Sequence, residues 1–243
     1  MGNLDYKNFS RRRRPHIQPR NANLFITFRL VGSIPKSVVR LYKQKKVWLE
    51  RQVEQLIGRG DEQNPQVVQE QLLRLQKFSE EWFLKFEDIL HKAKTGPLWI
   101  SNDAVAEKIA ENLHRLDGKE LRLDAYTLMS NHVHTVFRPL LSEKDLIQVP
   151  AAEDLSILLG QPPAALALIM QSIKGRSARE CNQVLGRRGQ FWERESFDHV
   201  IRPGKLRKTL LYVLNNPVKA GMVSEWREWR WNYCRKELLE FVR

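Results

Sequence analysis

The order of β-rich and helical segments limits this chain to few folds. Stretches rich in β-branched and aromatic residues predict strands at residues 24–31, 121–128, 132–139 and 191–201. Apolar residues at helical spacing predict helices at residues 36–57, 66–92, 102–116, 163–185 and 205–216. With residues 36–93 set aside as an inserted helical hairpin, the order is βαββαβ. That order predicts an α+β fold, a ferredoxin-like antiparallel sheet with helices on one face.

Charge and composition divide the chain into three predicted parts. Residues 1–22 form a basic arm, residues 23–223 form one domain that includes the hairpin, and residues 224–243 form a basic, aromatic tail. The arm contains the run Arg11, Arg12, Arg13 and Arg14. Such a run is either a solvated tail or a strap that contacts phosphates, and the sequence alone leaves both open.

The net charge indicates the class of partner. Lysine and arginine number 41 against 28 aspartate and glutamate, which gives +13, and the excess lies near the two ends of the chain. A chain this basic is expected to bind a polyanion, either a nucleic acid or an anionic membrane surface. Two cysteines are too few for a disulfide scaffold, and no apolar run is long enough to span a membrane. We therefore expect a cytoplasmic, nucleoid-associated protein.

His132-Val133-His134 is the most informative short motif. Side chains alternate along a strand, so the two histidines project from the same face. Two neighbouring imidazoles can supply two ligands to one divalent ion. Two hydrogen-bonded polar histidines near a strand end would give the same pattern, so the triplet alone does not decide between a metal site and a structural role.

Three separated motifs together resemble a known family. Residues 127–134, TLMSNHVH, resemble the M-P-N-H-V-H form of the HUH signature, with Ser130 in place of proline. Residues 190–202, QFWERESFDHVIR, resemble F-W-x-R-x-x-x-D-x-x-I-R, and residues 212–223, YVLNNPVKAGMV, resemble Y-I-x-x-N-P-V-K-A-G-L-V. These blocks are similar to those of the REP-associated tyrosine transposases, and the resemblance runs from about residue 24 to residue 231.

The resemblance implies a chemistry and assigns residues to it. Tyr212 would be the nucleophile that cuts single-stranded DNA, and His132 and His134 would hold Mg²⁺ or Mn²⁺. Asn216 lies four residues after Tyr212, on the same face of a helix, and is the expected third ligand. Without the resemblance, Asn216 is equally compatible with a helix C-cap before Pro217. Tyr212 is then also compatible with a half-buried tyrosine on a helix.

Clustered basic residues predict contacts with DNA phosphates. Each is an ordinary surface charge when taken singly, and the clustering around the late helix is what favours DNA. With the arginine run of the arm, the predicted contacts are Lys174, Arg176, Arg179, Arg202, Lys205, Arg207, Lys208 and Lys219.

The predicted function is a DNA nicking and joining enzyme. It would be a metal-dependent transposase that acts on single-stranded or hairpin DNA, with no membrane partner, as a monomer or homodimer. The alternative is a non-catalytic regulator that binds hairpin DNA with the same fold. An RNA-binding module would leave the histidines unexplained, and a peripheral membrane protein lacks a strongly basic helix face in the hairpin.

Overall fold

The computed structural model describes residues 22–58, 65–140 and 164–243. The predicted arginine run of residues 11–14 lies outside them. The chain divides into two compact units. Residues 32–97 form one unit, called here the hairpin unit, and the flanking residues form the other, called the sheet unit.

The helices and strands lie close to the predicted positions. The helices are α1 (Lys36–Gly58), α2 (Pro65–Lys92), α3 (Asp103–Leu116), α4 (Ala164–Val184), α5 (Leu206–Leu214) and α6 (Asn216–Lys219). The strands are β1 (Leu24–Arg29), β2 (Leu121–Leu128), β3 (His132–Pro139), β4 (Phe197–Val200) and β5 (Asn232–Cys234). Strand β4 is much shorter than the predicted residues 191–201.

The sheet unit has one antiparallel sheet. Among the described residues the strand order is β4-β1-β3-β2-β5. Its first four positions are those of a βαββαβ ferredoxin-like fold, with β1 and β3 side by side in the centre. The predicted α+β class is confirmed, and β5 from the C-terminal tail adds a further strand beside β2.

One face of the sheet carries the hydrophobic core. Leu24, Ile26 and Phe28 alternate along β1 and are almost fully buried. They form a single cluster with apolar side chains of α3 and α4, among them Ile109 and Ile173. The helices of the βαββαβ arrangement therefore lie together on one face, as the sequence predicts.

The opposite face of the sheet is covered by α5. Phe25 and Thr27 alternate with the core residues of β1, so they point away from α3 and α4. The ring of Phe25 contacts that of Tyr212 on α5, with ring centroids 5.8 Å apart. A helix that follows the last strand of the βαββαβ unit thus supplies the second layer, and it lies on the face to which His132 and His134 belong.

The hairpin unit has a small aromatic core of its own. Tyr42 of α1 packs against Phe78, Trp82 and Phe86 of α2, with ring centroids 5.2–5.6 Å apart. Tyr42, Trp82 and Phe86 lie at the helical spacing that predicts two amphipathic antiparallel helices, and Phe78 joins them. None of the helices in the part of the chain that the structure describes is long and apolar enough to cross a membrane.

The two ends of the hairpin unit meet at a tight glycine contact. Gly96 has φ +76° and its Cα faces the backbone of Gly32 so closely that a Cβ would collide with the Gly32 carbonyl. The Thr95 hydroxyl also donates to the Ser33 carbonyl, at 3.0 Å. The chain therefore returns beside the point at which the hairpin begins, and only glycine fits there.

Replacing Gly96 with alanine is expected to destabilise the protein more than the same change at Gly118. Both glycines have φ +76°, but a Cβ at Gly118 would meet nothing within 4 Å. Gly118→Ala should therefore lower the free energy of unfolding by only about 1 kcal/mol, which is the cost of a left-handed backbone conformation for alanine. Gly96→Ala should cost at least about 2 kcal/mol, because backbone atoms must also move apart. Urea denaturation of both variants checks this, and equal losses would contradict the close approach.

Candidate metal and tyrosine site

His132 and His134 bring two nitrogen atoms to one point. Both side chains are fully buried, and their ring centroids lie 4.7 Å apart with the planes nearly perpendicular. The two Nε2 atoms are 3.0 Å apart. Two nitrogen ligands each about 2.1 Å from one ion, at right angles, would be separated by about 3.0 Å. The pair therefore has the spacing of two adjacent ligands, and both residues belong to a group that could hold a metal ion.

The other nitrogen of each ring is held by an oxygen atom. His132 Nδ1 lies 2.6 Å from Asn131 Oδ1, and His134 Nδ1 lies 2.7 Å from Thr27 Oγ1. Thr27 is the residue of β1 directly opposite His134. Metal-binding histidines commonly have such a partner, which fixes the orientation of the ring. The sequence analysis did not predict roles for Asn131 or Thr27.

Tyr212 lies beside this pair. Its ring centroid is 6.1 Å from that of His134, and Phe25 contacts both rings. The Nζ atom of Lys219 lies 4.0 Å from the centroid of the Tyr212 ring. Residues that are 78 positions apart in the chain thus meet on one face of the sheet. The Tyr212 side chain is half-buried, so part of it is accessible to a substrate.

Asn216 is fully buried at the start of α6, just after α5 ends. Its Nδ2 donates to the carbonyl oxygens of Tyr212, at 2.7 Å, and Val213, at 3.3 Å. The amide nitrogen therefore satisfies two carbonyl groups in the last turn of α5, while the C-cap position of that helix is Asn215 and not the predicted Asn216. These two hydrogen bonds involve the amide nitrogen, and a role for the amide oxygen as a metal ligand remains a proposal.

Arg29 was missed by the sequence analysis. It is the residue of β1 opposite His132, so both side chains project from the same face. Its guanidinium is mostly buried and lies 3.4 Å from a carboxylate oxygen of Glu193. The only sequence signal for it was a basic residue within a β-rich segment, and a sheet register is needed to place that residue next to a histidine.

Six of the predicted phosphate contacts fall into two groups on opposite faces of the sheet. Arg202, Lys205, Arg207 and Lys208 lie at or just before the start of α5, on the face of Tyr212, and all four are exposed. Arg207 also donates to the carbonyl oxygen of Phe241, at 2.8 Å. Arg176 and Arg179 are exposed on α4, which packs on the other face, and Arg176 is paired with Glu180.

Lys174 binds backbone carbonyl groups of the protein. Its Nζ donates to the carbonyl oxygens of Glu193, Arg194 and Glu195, at 3.0–3.3 Å. Burial, together with the charge of Arg29, lowers the pKa of Lys174 from 10.5 to about 8. This ammonium group holds a loop of the protein. The same loop is anchored by Trp192, which is buried and whose indole N–H donates to the Ser177 hydroxyl.

Comparison with known proteins gives one distant likeness. No protein-family model matches the chain, and no curated protein matches it. The chain is similar to a solved structure of a REP-associated tyrosine transposase bound to a REP hairpin, at 13% identity and a TM-score of 0.39. The match covers 92% of this chain and 82% of that one. Likeness at this level assigns no activity, so the functional argument rests on the geometry of the described residues.

Replacing Lys174 with methionine is expected to change how stability depends on pH. In the folded protein the amine titrates at a pKa of about 8, whereas in the unfolded chain it keeps its ordinary value of 10.5. The unfolded state therefore binds more protons between these values, and the free energy of unfolding of the wild type rises relative to Lys174→Met as pH increases through that window.

Denaturation in urea at pH 7 and pH 10 measures this difference. The exposed Lys208→Met variant is the control, and its stability should follow that of the wild type at both values. A constant difference between wild type and Lys174→Met would show that Lys174 is not held in a desolvated site.

Proposed function

We propose that this protein is a metal-dependent endonuclease and strand transferase for single-stranded DNA. It would act on hairpin DNA of the REP type through a covalent 5′-phosphotyrosine intermediate, and so serve in transposition or a related DNA recombination. The observation that supports this most directly is the position of the Tyr212 ring, 6.1 Å from His134 and on the same sheet face as the paired Nε2 atoms. The choice of hairpin DNA rests on the resemblance of the three motifs.

The proposed cleavage step is a transesterification. The phenol oxygen of Tyr212 attacks the scissile phosphorus and releases its proton to solvent. The bond between that phosphorus and the 3′ oxygen breaks, and the leaving oxygen takes up a proton to become a 3′-hydroxyl. The phosphotyrosine keeps the energy of the broken bond, so a second 3′-hydroxyl can attack it and join the strands without ATP.

The donor set suits a divalent ion that polarises a phosphate. His132 and His134 would hold it, and the amide oxygen of Asn216 is the proposed third ligand, because Mg²⁺ and Mn²⁺ favour oxygen. When bound, such an ion would withdraw electrons from the phosphate and offset the charge that builds up during attack. The buried side chains around the two imidazoles keep them oriented before a substrate arrives.

Lys219 and the start of α5 would provide positive charge on either side of the nucleophile. The Lys219 ammonium, 4.0 Å from the centre of the Tyr212 ring, would offset the negative charge of the phenol oxygen after it loses its proton. Arg202, Lys205 and Lys208 are exposed on the same sheet face and are the proposed phosphate contacts. Arg176 and Arg179, on the opposite face, would contact only DNA that extends around the domain.

Tyr212→Phe is expected to abolish covalent capture of DNA. Labelled hairpin oligonucleotides with single-stranded flanks, incubated with wild-type protein and Mn²⁺, should give an adduct that survives a denaturing gel. Phenylalanine keeps the ring and its contacts but lacks the oxygen that forms the bond. Tyr233→Phe is the matched control, because Tyr233 is a partly buried tyrosine that packs against Tyr126. Its adduct yield should equal that of the wild type.

The same experiment tests the alternative function. Adducts that persist in Tyr212→Phe would remove Tyr212 as the nucleophile. Binding of the hairpin by the wild type with no adduct at any metal concentration would favour the non-catalytic regulator. Binding of duplex DNA as tightly as hairpin DNA would contradict the proposed substrate class.

Removing charge at the start of α5 is expected to reduce the salt dependence of DNA binding. Each phosphate contact to single-stranded DNA contributes about 0.7 to the slope of log K against log salt. Lys205→Ala/Lys208→Ala should therefore lower the slope by about 1.4. Lys108→Ala/Lys119→Ala removes the same charge from a half-buried position in α3 and an exposed position just after it, and should leave the slope unchanged. Fluorescence anisotropy over a salt series measures both, and equal slopes would exclude α5 as the contact.

A further inference from the structure

The oxygen partners of the two histidines differ in whether they can donate a hydrogen bond. Asn131 Oδ1, which lies 2.6 Å from His132 Nδ1, is an amide oxygen and can only accept a hydrogen bond. Thr27 Oγ1, which lies 2.7 Å from His134 Nδ1, is a hydroxyl oxygen and can either donate or accept. Both partners are buried with the rings that they contact, Thr27 at 6% exposure and Asn131 at 0%.

These partners set the position of the proton on each ring. His132 must carry its proton on Nδ1 to donate to Asn131, so its Nε2 has a lone pair. If the 3.0 Å contact between the two Nε2 atoms is a hydrogen bond in the metal-free protein, His134 is its donor and uses Nε2. His134 Nδ1 is in that case the acceptor, and the Thr27 hydroxyl donates to it.

Binding of a cation by both Nε2 atoms needs a different arrangement. Each Nε2 must then present a lone pair, so the proton of His134 has to be on Nδ1. A hydroxyl satisfies this by turning from donor to acceptor without any movement of the ring. An amide nitrogen or a carbonyl oxygen at the place of Thr27 could not do both.

We infer that Thr27 is a positioning residue for His134, and that its hydroxyl holds the ring in place while the ring proton changes nitrogen atoms on metal binding. No proton is gained or lost overall, because the proton that leaves Nε2 is replaced by one on Nδ1 through exchange with solvent. Asn131 keeps His132 in the binding tautomer throughout. The inference rests on the proposed metal-binding role of the pair.

Two substitutions at Thr27 distinguish the effect of its hydroxyl group from the effect of its side-chain shape. Thr27→Val keeps the branched side chain but cannot hydrogen-bond His134, whereas Thr27→Ser keeps the hydroxyl. Loss of an outer partner of a metal-binding histidine commonly costs about 10- to 100-fold in metal affinity. We expect a loss of that size for Thr27→Val and nearly wild-type affinity for Thr27→Ser, measured by Mn²⁺ titration with electron paramagnetic resonance detection of free Mn²⁺.

Thr135→Val is the control for general damage to the sheet. Thr135 is also fully buried, in β3, and its hydroxyl donates to the Ala125 carbonyl at 3.2 Å. It follows His134 directly and therefore points to the opposite face. This variant should lose stability but keep its affinity for Mn²⁺. An equal loss of affinity in Thr135→Val and Thr27→Val would overturn the proposed role of Thr27.

The tautomers provide a readout that a purely structural role of Thr27 would not change. Long-range ¹H–¹⁵N spectra of ¹⁵N-histidine-labelled protein distinguish a proton on Nδ1 from one on Nε2 for each ring. In metal-free wild type we expect His134 protonated on Nε2 and His132 on Nδ1, and addition of diamagnetic Zn²⁺ should move the His134 proton to Nδ1. A metal-free His134 already protonated on Nδ1 would overturn the inference.

The two measurements separate failure of this inference from failure of the proposed function. If wild type binds no Mn²⁺, the metal-dependent function fails, and the metal-free tautomer of His134 still decides whether Thr27 donates to it. If wild type binds Mn²⁺ and forms DNA adducts while Thr27→Val binds Mn²⁺ equally well, only the role of Thr27 is removed.

Discussion

The antiparallel pairing of β1 with β3 is the constraint on which the candidate site depends. Its register places Thr27 opposite His134 and Arg29 opposite His132, and it puts Phe25 on the same face. A slip of one residue would turn the apolar side chains of β1 away from the core and remove the partner of His134 at the same time. Burial of the core face therefore fixes the geometry of the site face, so that stability and the placement of the imidazoles come from a single set of strand contacts.

The proposed nucleophile and the two histidines lie on the face of the sheet opposite α3 and α4. In the βαββαβ arrangement α3 and α4 cover one face, and the histidines project from the other. Helix α5 closes that face and carries Tyr212 to the His134 ring. Because Asn216 donates to a carbonyl in the last turn of α5 and Lys219 follows in α6, one short stretch of chain supplies the proposed nucleophile, a candidate ligand and a nearby cation. The charge at the start of α5 lies on the same face, where an anionic strand would have to approach.

Much of the site could be predicted from the sequence, and the exceptions have a common physical cause. His132 and His134 follow from strand alternation alone, and Tyr212 follows from motif resemblance. The clustering of basic residues predicts a phosphate contact at Lys174, yet its ammonium is engaged by three carbonyl oxygens of the protein. Thr27 and Arg29 were not singled out, because a threonine or an arginine in a strand has no distinctive local pattern. Whether a polar side chain is buried, and against what, depends on segments far away in the sequence.

Local periodicity along the chain is enough to predict the class of fold, the order of its elements and the face shared by the two histidines. The position of α5 against the histidine face, the contact of Thr27 with the His134 ring and the division of the basic residues between opposite sides of the sheet come from packing between distant segments. Strand register and helix packing join residues that are a hundred or more positions apart, as Thr27 and His134 are. No pattern in the surrounding residues encodes such a contact, since it arises only when the strands pair.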